Sequence, residues 1–152
     1  MSFRNSAVKY SYPVIVANGV RISYDESPAH VGPLKHSVDF IVPVGTPVFA
    51  AADGVVVDLK SDSDKGGEAS TFEPFGNFVE LEHESGEYSE YEHLQKDGVA
   101  VALREKVRRG QIVGYSGATG YLAHLGPHLH FMVGRYDRSA GDYETIKIAW
   151  AI

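Results

Sequence analysis

Cysteine is absent from the 152 residues, so disulfides, thiolate metal knuckles and a cysteine nucleophile are excluded. The redox compartment stays open, because a cysteine-free chain folds equally well inside or outside the cell. Basic charge is scarce as well: 14 Lys and Arg stand against 20 Asp and Glu, a formal charge of -6. That balance offers no cationic face for a phosphate backbone and argues against nucleic acid as a partner. No apolar run approaches the roughly 20 residues that a membrane-spanning helix needs. Met1 to Val20 holds Arg4, Lys9 and only the short apolar run Pro13 to Ala17, so no signal peptide is visible. Sustained three-to-four spacing of apolar residues is missing too, and with it the expectation of long amphipathic helices.

What remains is 43% hydrophobic and 22% charged, the composition of a globular chain forming one domain over residues 1–152. A chain of this length buries about two-thirds of the surface its unfolded form exposes. Glycine and proline punctuate short segments rich in Val, Ile, Phe and Tyr, which predicts an all-β fold of mostly antiparallel sheets, sandwich-like or barrel-like. Strands are expected near Ser37–Val42, Pro47–Lys60, Asn77–Glu82, Tyr88–Leu94, Gln111–Ser116, His128–Val133 and Thr145–Trp150. The acidic, glycine-rich interval Ser61–Gly76 reads as a long exposed loop. Lys96–Gly110 reads either as one helical turn or as a cover for a barrel end.

Seven histidines carry most of the chemistry. In Gly126-Pro127-His128-Leu129-His130-Phe131, strand alternation puts His128 and His130 on one face, about 7 Å apart, with Leu129 and Phe131 on the other. One imidazole can bind a metal while the other stands beside a metal-activated water or a developing oxyanion. Asp39, inside Val38-Asp39-Phe40-Ile41, is a carboxylate in an otherwise apolar strand, an expensive arrangement unless the group is paired or bound to a metal. His93 ends the Tyr91-Glu92-His93-Leu94 strand, a position suited to a cleft rim. His83 precedes a Ser85-Gly86 turn and reads as structural. His124 lies in a loop beside the site, where surface decoration competes with substrate contact.

In this order the motifs resemble the lysostaphin-like (LytM-type) zinc metallopeptidases, the glycyl-glycine endopeptidase family of peptidoglycan hydrolases. The resemblance runs from about residue 30 to 133 through DFIVPVGTPVFAAADGVVV, FGNFVELEHESGEYSEYEHL, VRRGQIVGYSGATG and GPHLHF. It implies a duplicated-hybrid-motif β fold with long loops around a cleft, and one Zn2+ per chain held by a histidine, Asp39 and His130. It also implies two catalytic histidines that are not ligands, His93 and His128. The usual spacing puts the first ligand four residues before the aspartate, where this chain has Lys35. Two candidates remain, His36 and His30; alternation points His36 to the side opposite Asp39, whereas His30 sits in a loop, so His30 is favoured.

The resemblance further implies hydrolysis by metal-activated water of peptide bonds in stem peptides or cross-bridges, with His93 or His128 moving the proton. No His-Glu-x-x-His segment is present to supply a glutamate base. Tyr115, Ser116 and Thr119, among glycines that let a thin peptide approach, are candidate substrate-cleft residues. The family setting is periplasmic, cell-wall or secreted. The competing reading is a non-catalytic LytM-like module acting with a wall hydrolase. A biotinyl or lipoyl carrier, suggested by VRRGQIVGYSG, is disfavoured because no hairpin-tip lysine is present.

Overall fold

The computed structural model describes residues 5–17, 19–24, 34–122, 125–137 and 142–151. Apolar alternation converts into fourteen short strands over these residues. They are Asn5–Tyr10 (β1), Arg21–Ser23 (β2), Val38–Ile41 (β3), Pro47–Phe49 (β4), Gly54–Lys60 (β5), Gly66–Gly67 (β6) and Asn77–Glu82 (β7). There follow Tyr88–Val99 (β8), Lys106–Val107 (β9), Ile112–Ser116 (β10), Gly120–Tyr121 (β11), Leu129–Asp137 (β12), Asp142–Thr145 (β13) and Lys147–Trp150 (β14). Among the described residues no helix is long and apolar enough to cross a membrane.

The main sheet runs β2-β3-β12-β8-β7-β5-β9, with β13 paired to β12, and β10 paired to both β8 and β4. All of its pairings are antiparallel, and two small parallel pairs, β1 with β14 and β6 with β11, lie outside it. Register decides which side chains share a face. Leu129 lies opposite Phe40 and Phe131 opposite Val38, while Phe131 faces Tyr91 and Tyr91 faces Val79 across the next two ladders. These residues are fully buried and form the core, with Trp150 and Tyr12 packed on Phe40 from outside the sheet.

Alternation sends the intervening residues to the opposite face: Asp39 beside His130, His130 beside Glu92, Met132 beside Glu90, Glu90 beside Glu80, and Glu80 beside Asp58. One face of the sheet is thus hydrocarbon, and the other carries the chemistry and a row of carboxylates.

Several boundaries differ from the sequence reading. The single strand expected over Pro47–Lys60 breaks into β4 and β5, because the chain turns through Ala50–Asp53. The last expected strand divides likewise at Ile146 into β13 and β14. Ser61–Gly76 contains β6 and a 3-10 turn over Ser70–Phe75. Lys96–Gly110 forms no helical turn: β8 continues to Val99 and β9 follows, with Val107 buried and Val99 and Val101 packed against the core. The short β1 and β2 carry little periodicity of their own.

The N-terminal strand is fixed by a buried carboxylate. Glu87 accepts hydrogen bonds from the Ala7 and Val8 amides (2.6 and 3.2 Å), the Tyr10 hydroxyl (2.9 Å) and Arg135 Nη2 (2.8 Å). Arg109 ties the same strand to the turn after β4, donating to Lys9 O at 2.7 Å and Ala51 O at 2.8 Å.

Candidate active site

Asp39 and His130 face each other across the β3·β12 ladder, and their atoms Oδ1 and Nδ1 lie 3.0 Å apart. Both are almost completely buried. His128, just before β12 begins, places Nε2 at 3.6 Å from the same Asp39 oxygen. The three side chains meet because residues two apart on a strand share a face and the neighbouring strand offers its residue in register.

His93 reaches this group by a different route. Alternation along β8 would send it to the core face, since Glu92 already occupies the site face. A bulge prevents this: Phe78 pairs with Glu92 and Asn77 with Leu94, leaving His93 as the extra residue, at φ 68. Bulges re-aim a side chain in this way, and a non-glycine residue in the left-handed region stores strain, a feature that concentrates at functional sites. The ring lies 4.5 Å from that of His128 and 5.9 Å from that of His130, centroid to centroid.

Supporting hydrogen bonds fix the protonation pattern. A carbonyl oxygen only accepts, so the 2.7 Å contact from His93 Nδ1 to Thr119 O places the proton on Nδ1 and leaves Nε2 as an acceptor. His128 repeats the pattern, with Nδ1 donating to Gly126 O at 2.8 Å. The Ser116–Gly120 segment buttresses His93 from behind. A Cβ at Gly120 (φ 86) would approach Gly76 Cα to 2.8 Å and His93 Nδ1 to 3.2 Å, so glycine is required for this close approach.

Burial, reinforced by His128 and His130, holds the His93 pKa down to about 3, against the opposing influence of the Thr119 carbonyl and Asp39. His93 is therefore a neutral imidazole at physiological pH. His130 moves the other way: burial disfavours its charged form, but the Asp39 hydrogen bond and the Glu92 and Asp39 carboxylates outweigh that effect and raise its pKa. Burial, together with Glu73 and Asp39, raises Glu92 despite the opposing pull of His130.

The cleft above these groups has a volume of about 100 Å3 and includes Glu73, Gly76, Glu92, His93, Tyr121 and His130 in its walls. Glu73 and Glu92 were not singled out in the sequence. The acidic loop reads as solvated and hides Glu73, whereas Glu92 was legible as the neighbour of His93 in Tyr-Glu-His-Leu.

The remaining candidates fall elsewhere. His30 and His124 lie outside the described residues. His36 lines a different cavity, together with Lys147 and Trp150. Ser116 is fully buried, its hydroxyl donating to Pro43 O at 2.9 Å and accepting from the Thr46 amide at 3.1 Å. Thr119 donates to Leu94 O at 2.6 Å and accepts from the Asn77 amide at 3.0 Å. Both hydroxyls are thus committed to scaffolding. Tyr115 is half-buried in β10 opposite Pro47. His83 is buried, with Nδ1 at 2.7 Å from Asp53 O and Nε2 at 2.6 Å from Ser89 Oγ.

Among the described residues no three His, Asp or Glu side chains form a complete metal-ligand set. Two donors of the required kind are nevertheless paired. Asp39 Oδ1 and His130 Nδ1, 3.0 Å apart, share a proton here. In a tetrahedral site with bonds of about 2.0–2.1 Å, neighbouring donors stand about 3.3 Å apart, so a cation could take the place of that proton with little movement.

A β-sheet carrying a carboxylate–histidine pair and two further histidines that each leave Nε2 as an acceptor defines the class: a hydrolytic centre of the metallopeptidase type on an all-β scaffold. The description "Peptidase family M23" matches residues 34–142, and the chain belongs to this family. It is 35% identical over 118 residues to the peptidoglycan DD-endopeptidase ShyC of Vibrio cholerae, covering 73% of this chain and 24% of that protein. The structure of a zinc-containing peptidase from Vibrio cholerae superposes with a TM-score of 0.59 at 30% identity, covering 83% of this chain and 36% of the other. The lysostaphin catalytic domain of Staphylococcus simulans gives a TM-score of 0.54 at 30% identity, over 76% of this chain and 80% of that domain. The chain spans about a quarter of the length of the curated relatives it matches.

Proposed function

We propose that this chain is a zinc-dependent endopeptidase that hydrolyses peptide bonds in peptidoglycan stem peptides or cross-bridges. It acts outside the cytoplasm and carries the whole catalytic apparatus in a single domain, chiefly within residues 30–133. The observation that carries the reading is the convergence of Asp39 Oδ1 with His130 Nδ1 at 3.0 Å and His128 Nε2 at 3.6 Å, with His93 turned onto the same group by a strained bulge. The relatives named as peptidoglycan endopeptidases support the substrate class.

Asp39 and His130 would hold the zinc, and His30, the loop histidine favoured by sequence, would complete the set. When bound, the ion polarises the scissile carbonyl and lowers the pKa of water at the site toward about 7. His93 and His128, each presenting Nε2 as an acceptor, orient the attacking water, and one of the two takes its proton. That ring, once protonated, faces the oxyanion side of the tetrahedral centre and returns the proton to the leaving amine. Thr119 O and Gly126 O hold the two rings in the required tautomer throughout.

The test is metal content by mass spectrometry alongside clearing of a peptidoglycan suspension, for wild type and for His30→Ala, His36→Ala and His130→Ala. About one zinc per chain, lost with lysis in His130→Ala and His30→Ala but kept in His36→Ala, is the expected result. Wild-type protein that neither retains zinc nor clears the suspension after zinc is restored would overturn the reading and favour a non-catalytic wall-binding module.

A further inference from the structure

A second cavity, of about 510 Å3, opens beside β3 and β14. This volume lies in the range of small-ligand sites, roughly 300–1,000 Å3. Ile148 and Trp150 contribute its apolar lining, Tyr24 adds a ring that is 57% exposed, and Lys35, His36 and Lys147 supply the polar side. Trp150 is held rigidly by ring contacts at 4.9 Å to Tyr12, 5.9 Å to Phe131 and 6.3 Å to Phe40. Among the described residues neither lysine has an ion-pair partner. Both act on the same space: after burial, Lys35 and Lys147 are what lower the His36 pKa, with Glu144 acting weakly against them. In a chain of net charge -6, two unpaired lysines around a tryptophan-lined concavity form a local inversion of sign.

The two concavities share a wall. Leu34 lines the catalytic cleft and Lys35, the next residue, lines this cavity. Consecutive Cα atoms are about 3.8 Å apart, so the linings of the two concavities adjoin at this point of the chain. We propose that the cavity is an anion-binding exosite for a carboxylate-bearing sugar-peptide segment of the wall polymer, with the carboxylate between Lys35 and Lys147 and a sugar ring against Trp150. The inference builds on the peptidoglycan reading above and adds to it the means by which an acidic chain retains an anionic polymer.

Trp150 is the only tryptophan, so its fluorescence reports on this cavity directly. The experiment titrates the full chain with a soluble disaccharide-tetrapeptide bearing free carboxylates, and with a neutral chitooligosaccharide. Expected is a saturable change for the acidic ligand, weakened about tenfold in Kd by each of Lys35→Gln and Lys147→Gln and weakened further by salt. The neutral sugar should bind at least tenfold more weakly. His130→Ala should retain the response, because the exosite lies outside the catalytic group.

Absence of a saturable response would overturn the proposal, as would equal binding of the neutral sugar or indifference to both lysine variants. Lysis by the wild type without such a response would remove the exosite and leave the endopeptidase reading standing. A lysine-dependent response from protein that does not lyse peptidoglycan would support the exosite and remove the endopeptidase reading.

Discussion

His93 sits at φ 68 in the middle of the longest strand, and that position makes a prediction whose sign is opposite to the ordinary rule. At a normal strand position, glycine is less stable than alanine by about 0.5–1 kcal/mol, because the unfolded glycine has more conformations to lose. In the left-handed region an L side chain costs about 1–2 kcal/mol, a cost that glycine avoids. His93→Gly and His93→Ala both delete the imidazole, both forfeit the Thr119 hydrogen bond and both leave nearly the same void. The difference between them therefore isolates the backbone. His93→Gly should be more stable than His93→Ala by about 1 kcal/mol, or roughly 2–4 °C in Tm for a chain of this size. Thermal unfolding of the two metal-free variants measures the difference, and urea unfolding at constant m checks it. Both variants should lose lysis by about 10²–10⁴-fold, the usual contribution of a positioned proton-transfer group. Equal stability, or alanine above glycine, would refute the strained bulge and with it the explanation of how His93 leaves the core face.

Glu87→Gln removes the charge from a buried carboxylate that accepts four hydrogen bonds; it should cost about 3 kcal/mol and accelerate amide exchange at Ala7 and Val8, with the discount that Arg135 is half-exposed. Loss of protection confined to β8 would contradict the anchoring role. Glu90 is raised well above the usual carboxylate range by burial, with Glu92, Glu80 and Asp58 adding to the rise. Its stabilisation is complete below the unfolded pKa of about 4.5 and is lost as pH rises through the higher folded value. Glu90→Gln should therefore raise Tm at neutral pH and flatten its fall with pH, and a lowered Tm would reject this. His93 titrates in the opposite sense: its folded pKa of about 3 lies below the unfolded value of about 6.5. Metal-free protein should lose stability as pH falls from about 6.5 toward 3, and His93→Gln should lose less over that interval.

The pairing of Asp39 with His130 was legible because alternation is a local rule that survives folding. Val38, Phe40, Leu129 and Phe131 announce a buried face, and the polar residues between them are then forced together on the other. His36 lines a different cavity from the turn before β3, outside the reach of the alternation rule. The rule fails at His93, where a single extra residue reverses the facing of a side chain and no glycine marks the bulge. The break at Ala50–Asp53 was marked by the Asp53-Gly54 dipeptide, a turn signal that the apolar residues on either side outweighed in the strand assignment. Ser116 and Thr119 looked like cleft residues from composition, yet small hydroxyl residues between glycines also serve where two backbones meet. Here Gly117 abuts Gln95 and Thr119 bonds both β7 and β8, so the segment braces His93.

The two faces of the main sheet obey different economies, and the contrast locates function without any reference to relatives. On the core face, burial and hydrogen bonding agree: the Tyr91 hydroxyl accepts from the Ala51 amide at 2.9 Å, and the apolar residues around it are sealed from solvent. On the other face Asp58, Glu80 and Glu90 stand in register across three strands, with Glu92 two residues on from Glu90, and burial with the neighbouring carboxylates raises the Glu80 and Glu90 pKa values, beside a histidine in a strained backbone. Like charges opposite one another on a ladder are destabilising, and a stability optimum would not place four of them together. Glu92, the nearest of them to the site, lies opposite His130 and helps raise its pKa, so the row ends by favouring positive charge there. The repulsion and the bulge therefore belong to one arrangement, in which the sheet gives up stability on the face that gathers Asp39, His128, His130 and a neutral His93.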